Sequence, residues 1–123
     1  MNFKRFVEDI FILYFDNNQL LEMANIQPHE SGLKPVVFVS GKSGAKHVPR
    51  IKVSNIAGSF SHDDNFTMTV EHEPRIIGNC KLHPKHAELV KDWVKLNHDH
   101  LHKVWHDHGI MTSSEITDGL KKI

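Results

Sequence analysis

The hydrophobic pattern of this chain switches from strand period to helix period at Pro84, and that change limits what the chain can fold into. Between residues 34 and 80, short apolar runs alternate with polar residues or stand between turn clusters. From Pro84 to Gly109, apolar residues instead recur every three or four positions. "KPVVFVS" (34–40) is a β-branched and aromatic run with Pro35 at its entry, where a missing N–H is tolerated. "PRIKVSNI" (49–56) and "FTMTV" (66–70) alternate as half-buried strands do, and "RIIGNC" (75–80) reads as a fourth strand. The links "GKSGAK", "SHDDN" and "EHEP" are tight, which favours an antiparallel meander. Pro84 suits the first turn of a helix. At about 100° per residue, Leu89, Val90, Trp93, Val94, Leu96, Leu101, Val104 and Trp105 form one stripe for the sheet to cover.

The expected fold is therefore α+β: an antiparallel sheet of three to four strands, packed by one long helix over 84–108. An N-terminal helix is added to it. Phe3, Phe6, Val7, Ile10, Phe11, Tyr14 and Phe15 stand at helical spacing, and Leu20, Leu21 and Ala24 resume the pattern after "DNNQ". "NIQPHESG" (25–32) reads as a linker. The tail opens on "TSSE" (112–115), a capping box, and its short helix is interrupted at Gly119. At 123 residues the chain has the length of one domain. Its parts are a helical extension over 1–32, a core over 34–108 and a tail over 112–123.

Lysine plus arginine equals aspartate plus glutamate at 15 each, so no global field draws the chain to nucleic acid or to a membrane. The single cysteine, Cys80, cannot form an internal disulfide or a cysteine-based zinc site, which fits a reducing, cytoplasmic setting. The apolar run 6–15 contains Glu8 and Asp9 and is too short to span a bilayer.

Histidine is the compositional anomaly, with 11 residues, five of them between His98 and His108. His98, His102 and His106 share one face of the long helix with Lys91 and Lys95. Two histidines four apart can chelate zinc, but the zincin motif also needs a glutamate base and a third ligand. Here Asp and Lys stand between the histidines with no such glutamate, which leaves adventitious metal binding as the alternative. That face reads as solvated and weakly basic, and neither a metal nor another cofactor is expected. Asn97 and His100 fall inside the apolar stripe, so each must find a hydrogen-bond partner on the strands or line a wet pocket.

"KHVPRIKV" (46–53) and "EHEPRIIG" (71–78) repeat His-x-Pro-Arg-Ile. In the first copy His47, Pro49, Ile51 and Val53 point one way, and Val48, Arg50 and Lys52 the other. Arg50 and Lys52 project together and suit a phosphate or carboxylate, and Arg75 is their counterpart in the second copy. Joined by His47, His62 or His72, they would make a metal-independent ribonuclease site, with histidine as acid or base and the cations steadying the phosphorane. The plainer reading is a solvent-facing strand with ordinary charges. No phosphate loop, nucleophile elbow or paired-carboxylate motif is present, so no catalytic residue is assigned.

The order of elements resembles a small bacterial family known as a domain of unknown function, numbered four-one-six-zero. The resemblance runs over residues 34–105. It rests on "VVFVS", "HVPRIKV", "FTMTV", "EPRII" and, most specifically, "LVKDWVKLNHDHLHKVW" with its two tryptophans. It places only the first His-x-Pro-Arg-Ile on the family's histidine-rich strand, which makes the second copy an ordinary strand entry. The chain departs from the family in carrying Arg50 and Lys52 where further histidines are usual, and in its 33-residue N-terminal extension. The resemblance implies an association with mobile-element or toxin–antitoxin operons. The expected function is that of a small cytosolic binding or regulatory protein, such as a toxin–antitoxin partner or phage-type inhibitor. It would act by protein contact or self-association through the N-terminal helix, where Phe6, Ile10, Phe11 and Tyr14 are the binding residues. Nucleic acid is the less favoured partner, and a ribonuclease-like toxin the alternative.

Overall fold

In a computed structural model of the chain, five strands form one antiparallel sheet in the order β1-β2-β3-β4-β5. The structure describes residues 23–40, 48–57, 60–61, 63–107 and 111–123. The strands are β1 (Met23–Ile26), β2 (Pro35–Ser40), β3 (Arg50–Ala57), β4 (Asn65–Thr69) and β5 (Ile76–Ile77). The described helices are α1 (Pro28–Ser31), α2 (Pro84–Leu96), α3 (His98–His106) and α4 (Ser113–Asp118). The α+β class and the meander are as the sequence implies. Phe6, Ile10, Phe11 and Tyr14, with the N-terminal helix expected around them, lie outside the described residues, as do His47 and His62.

Three expectations are corrected. The sheet has five strands, because Met23–Ile26 pairs with β2 where a helix end and a linker were expected. Ala24 lies at the helical spacing set by Leu20 and Leu21, yet it also alternates with Ile26 across Asn25. Pairing with the buried β2 decides between the two periods. The last strand is only Ile76–Ile77, ended by Gly78 at φ 100, a conformation that favours glycine. The long helix is two helices broken at Asn97, whose backbone sits at φ −107, ψ 15. There the Asn97 side chain and its own backbone N–H both donate to the Trp93 carbonyl, at 3.0 Å each. Such local competition disfavours a continuous helix. Leu96, expected within the apolar stripe, is left exposed.

Register sets the two faces of the sheet. One transverse row is Ile26, Val37, Val53 and Phe66, flanked by the pairs Ala24–Val39 and Ile51–Met68. These residues are buried, and they pack with Val90, Trp93 and Val94 of α2, Leu101 and Val104 of α3, and Ile116 of α4. The core thus lies between that face and the three later helices. Each buried aliphatic or aromatic side chain contributes about 1.5–3 kcal/mol of transfer free energy. The opposite face carries a second row across all five strands: Asn25, Phe38, Lys52, Thr67 and Ile77. Ile51 and Val53 point into the core while Lys52 is exposed, the division that alternation implies.

Caps and closures finish the fold. Thr112 caps α4 by accepting from the Glu115 N–H, and Glu115 returns the bond to the Thr112 N–H, so the "TSSE" capping box is formed. Gly32 ends α1 at φ 83, where a Cβ would strike the Ile123 carbonyl. The chain end is tied there by the Ile123 N–H donating to the Ser31 carbonyl at 2.8 Å. Among the described residues no helix is long and apolar enough to cross a membrane.

Candidate functional site

Where α2 meets α3, the helix break opens a cleft of about 360 Å³ against the C-terminal tail. Asn97 forms its floor. It is 3 % exposed, and every hydrogen-bonding atom of its side chain is used. Nδ2 donates to the carbonyls of Trp93 and Lys121 at 3.0 Å each, and Oδ1 accepts from the Lys121 N–H at 2.6 Å. His100 forms one wall. Its Nε2 lies 2.8 Å from the Ile116 carbonyl, which can only accept, so Nε2 carries the hydrogen. The ring lies so close to Gly119 that a Cβ there would overlap it. Two contacts therefore fix this imidazole, and Nδ1 is the ring nitrogen left over.

Asn97 and His100 are the two polar residues that the sequence places inside the apolar stripe, and both found partners and a polar cleft. Their partners are on the tail, not on the strands. Lys95, Lys121 and Asp99 complete the charged lining. Reasoning from sequence missed Lys95 and Lys121 as site residues. Lys95 looked like one more cation on a solvated face, and Lys121 reaches the cleft through a contact 24 residues away. Asn97 and His100, polar residues within the apolar stripe, were the signals pointing there.

A column of imidazoles runs along α3 from the cleft, and its His72 and His98 belong to the lining. His72, in the turn after β4, stacks on His98 with ring centroids 4.5 Å apart and planes at 16°. His98 lies 4.4 Å from His102, and His102 lies 5.8 Å from His106. The His102 Nε2 hydrogen points to the Val70 carbonyl at 3.0 Å. This corrects the reading of a solvated face. The His98 side chain is only 18 % exposed and His102 is half-buried, so the column fastens the 70–72 segment to α3. His72 and His98 are stacked, whereas the His98–His102 and His102–His106 ring planes are tilted at 35° and 41°. Among the described residues no group of three or more histidine, cysteine, aspartate or glutamate side chains could hold a metal ion.

The remaining sequence-selected residues are spread apart. Arg50 and Lys52 stand on the sheet face away from the helices, and His72 is stacked on α3. The structure therefore does not bring His72 to those two cations. Arg50 directs its Nε to the Val48 carbonyl at 3.3 Å, and among the described residues neither Arg50 nor Lys52 forms an ion pair. Arg75 donates to Glu71 twice, at 2.9 and 3.3 Å, and the Thr69 hydroxyl adds a third bond at 2.8 Å. The guanidinium first, and then the hydroxyl, hold the Glu71 carboxyl below its usual range, and Glu71 raises Arg75 in turn. A cation so paired is a poorer ligand for an outside anion. Asp64 is likewise lowered, by Lys81 first and then Asn55, in a cluster that joins β3 to the 79–81 segment. Cys80 is half-buried against the core and lies outside these sites.

The chain matches no protein-family model, no curated protein and no solved structure.

Proposed function

We propose that the protein is a small binding and regulatory protein that acts by contact with another protein. The contact surface is the second face of the sheet together with the apolar segment 3–15. One observation carries this reading. The row Asn25, Phe38, Lys52, Thr67 and Ile77 crosses all five strands on the face away from α2, α3 and α4, and Ile77 there is 43 % exposed. Exposed Ile77, across Thr67 from an exposed Lys52 that forms no ion pair among the described residues, suits a partner that offers apolar side chains ringed by carboxylates. The neutral overall charge and the absence of a catalytic motif in the sequence agree with a contact role. The resemblance to the mobile-element-associated family points the same way, and a cytoplasmic setting is part of this proposal.

A photo-activated cross-linker placed at position 52 or 77 is expected to trap a defined partner or a second copy. The same group at the exposed Lys103 of α3 should not. Light scattering over a concentration series, on wild type and on Phe6→Glu/Phe11→Glu, tests whether the partner is a second copy. Monomers throughout, with no specific cross-link from position 52 or 77, would remove the reading. Cleavage of RNA in EDTA by wild type and not by His47→Ala would replace it with the ribonuclease alternative.

A further inference from the structure

We propose that the cleft between the α2–α3 break and the C-terminal tail binds a small molecule through a phosphate or carboxylate group. This site is distinct from the second sheet face, and the proposal does not depend on the protein-contact reading.

The floor is rigid. Asn97 ties the break to both polar atoms of the Lys121 backbone, and its second Nδ2 hydrogen goes to the Trp93 carbonyl, so both donor hydrogens are used. It is scaffold and not ligand. The His100 ring is fixed by the Ile116 carbonyl and by the bare backbone of Gly119; with Nε2 carrying the hydrogen, Nδ1 can only accept, so this ring too is a wall and not an anion ligand. A polar site held in this way loses little freedom when a ligand enters.

The charge of the lining selects the ligand class. Two cationic side chains, Lys95 and Lys121, stand against one carboxylate, Asp99. Asp99 is already engaged by His98 Nδ1 at 3.1 Å. Lys95 approaches Glu73 only to 3.9 Å, and the Glu73 side chain is 92 % exposed, so that pairing is weak and easily exchanged. Lys121 forms no ion pair among the described residues. Its side chain is also separable from its structural role, because only its backbone meets Asn97. Exposed Leu96 supplies one apolar patch beside the cations. About 360 Å³ is room for a metabolite-sized molecule and too little for a folded partner.

The test uses the full-length, isotope-labelled protein. Sodium phosphate and sodium acetate are titrated separately, each against sodium chloride at matched ionic strength, while the amide signals of Asn97, His100 and Lys121 are followed. Saturable shifts with phosphate, acetate or both, and not with chloride, are expected. The preferred anion identifies the group that the site takes. Lys121→Gln should weaken that binding at least about fivefold, the scale of one lost partly screened charge contact. Lys103→Gln, an exposed α3 lysine outside the cleft, should change it less than about twofold. Lys95→Gln should weaken it as Lys121→Gln does. Equal responses to all three salts, or the same affinity in wild type and both cleft variants, would overturn the proposal.

Discussion

The Asn97 carboxamide pairs with the backbone of Lys121 at both polar atoms, accepting from its N–H at 2.6 Å and donating to its carbonyl at 3.0 Å. A side chain here acts as a strand edge would, docking the last residues of the chain onto the point where α2 becomes α3. Asn97 also supplies the break itself, so one residue sets both the bend and what is bound at it.

Asn97→Ala leaves the Lys121 N–H and carbonyl without their partner, in two bonds that are part-buried on an exposed residue. The cost is expected to be about 1–2 kcal/mol, the net worth of two partly solvated hydrogen bonds. Chemical denaturation measures it, and hydrogen exchange at the Lys121 amide should accelerate by more than the global change accounts for. A loss under about 0.5 kcal/mol would mean that water replaces the carboxamide freely.

Trp93 is fully buried beneath the sheet, and Trp105 is nearly so. Truncating either to alanine should cost about 3–5 kcal/mol. The Trp93 Nε1 hydrogen has no acceptor among the described residues, so this indole contributes through packing alone. Trp93→Phe should therefore cost clearly less than Trp93→Ala in the same denaturation series. Near-equal costs would point to an unseen acceptor for that hydrogen.

The parts of this fold that were legible in the sequence depend on local rules. The faces of β3 follow from alternation alone, which put Ile51 and Val53 inside and Lys52 outside. The Thr112 capping box follows from four consecutive residues. The hidden parts depend on distance. Four residues of β1 fit two periods, and only the pairing of Ile26 with Val37 chooses between them. The break at Asn97 turns Leu96 outward but keeps Trp93 and Val94 before it and Leu101 and Val104 after it buried, so periodicity passes over it. The cleft was half legible: a polar residue inside an apolar stripe announces a partner but not which one. Lys121 lies 24 residues further along the chain, and the His72 stack is closed by a turn from another layer.

Acid should weaken the β4–β5 turn through Glu71. Its carboxyl is held below the ordinary value of 4.5 by Arg75 and then Thr69. A depressed acid stabilises the fold at pH values above its unfolded value, and that contribution disappears as pH falls through the lower folded value. Wild type should therefore exceed Glu71→Gln in stability near neutrality. The gap should close as pH drops below 4.5. Urea melts of both proteins at stepped pH check the sign, and a gap that widened on acidification would refute the assignment.

Gly119→Ala isolates the contact that holds the wall of the cleft. Gly119 lies at φ −81, ψ −9, an ordinary right-handed conformation, so alanine brings no backbone strain there. Its Cβ would instead overlap the His100 ring, whose Nε2 is anchored to Ile116 and cannot swing away without losing that bond. Overpacking of this kind should cost about 1–3 kcal/mol. With the ring removed in His100→Ala, the clash is gone, and replacing glycine should be neutral or slightly stabilising, because alanine restricts the unfolded chain. The two substitutions must therefore be strongly non-additive, with a coupling of about 1–3 kcal/mol in a double-mutant cycle. Additive losses would mean that the His100 ring does not rest on Gly119 in solution, and the fixed wall of the cleft would fall with it.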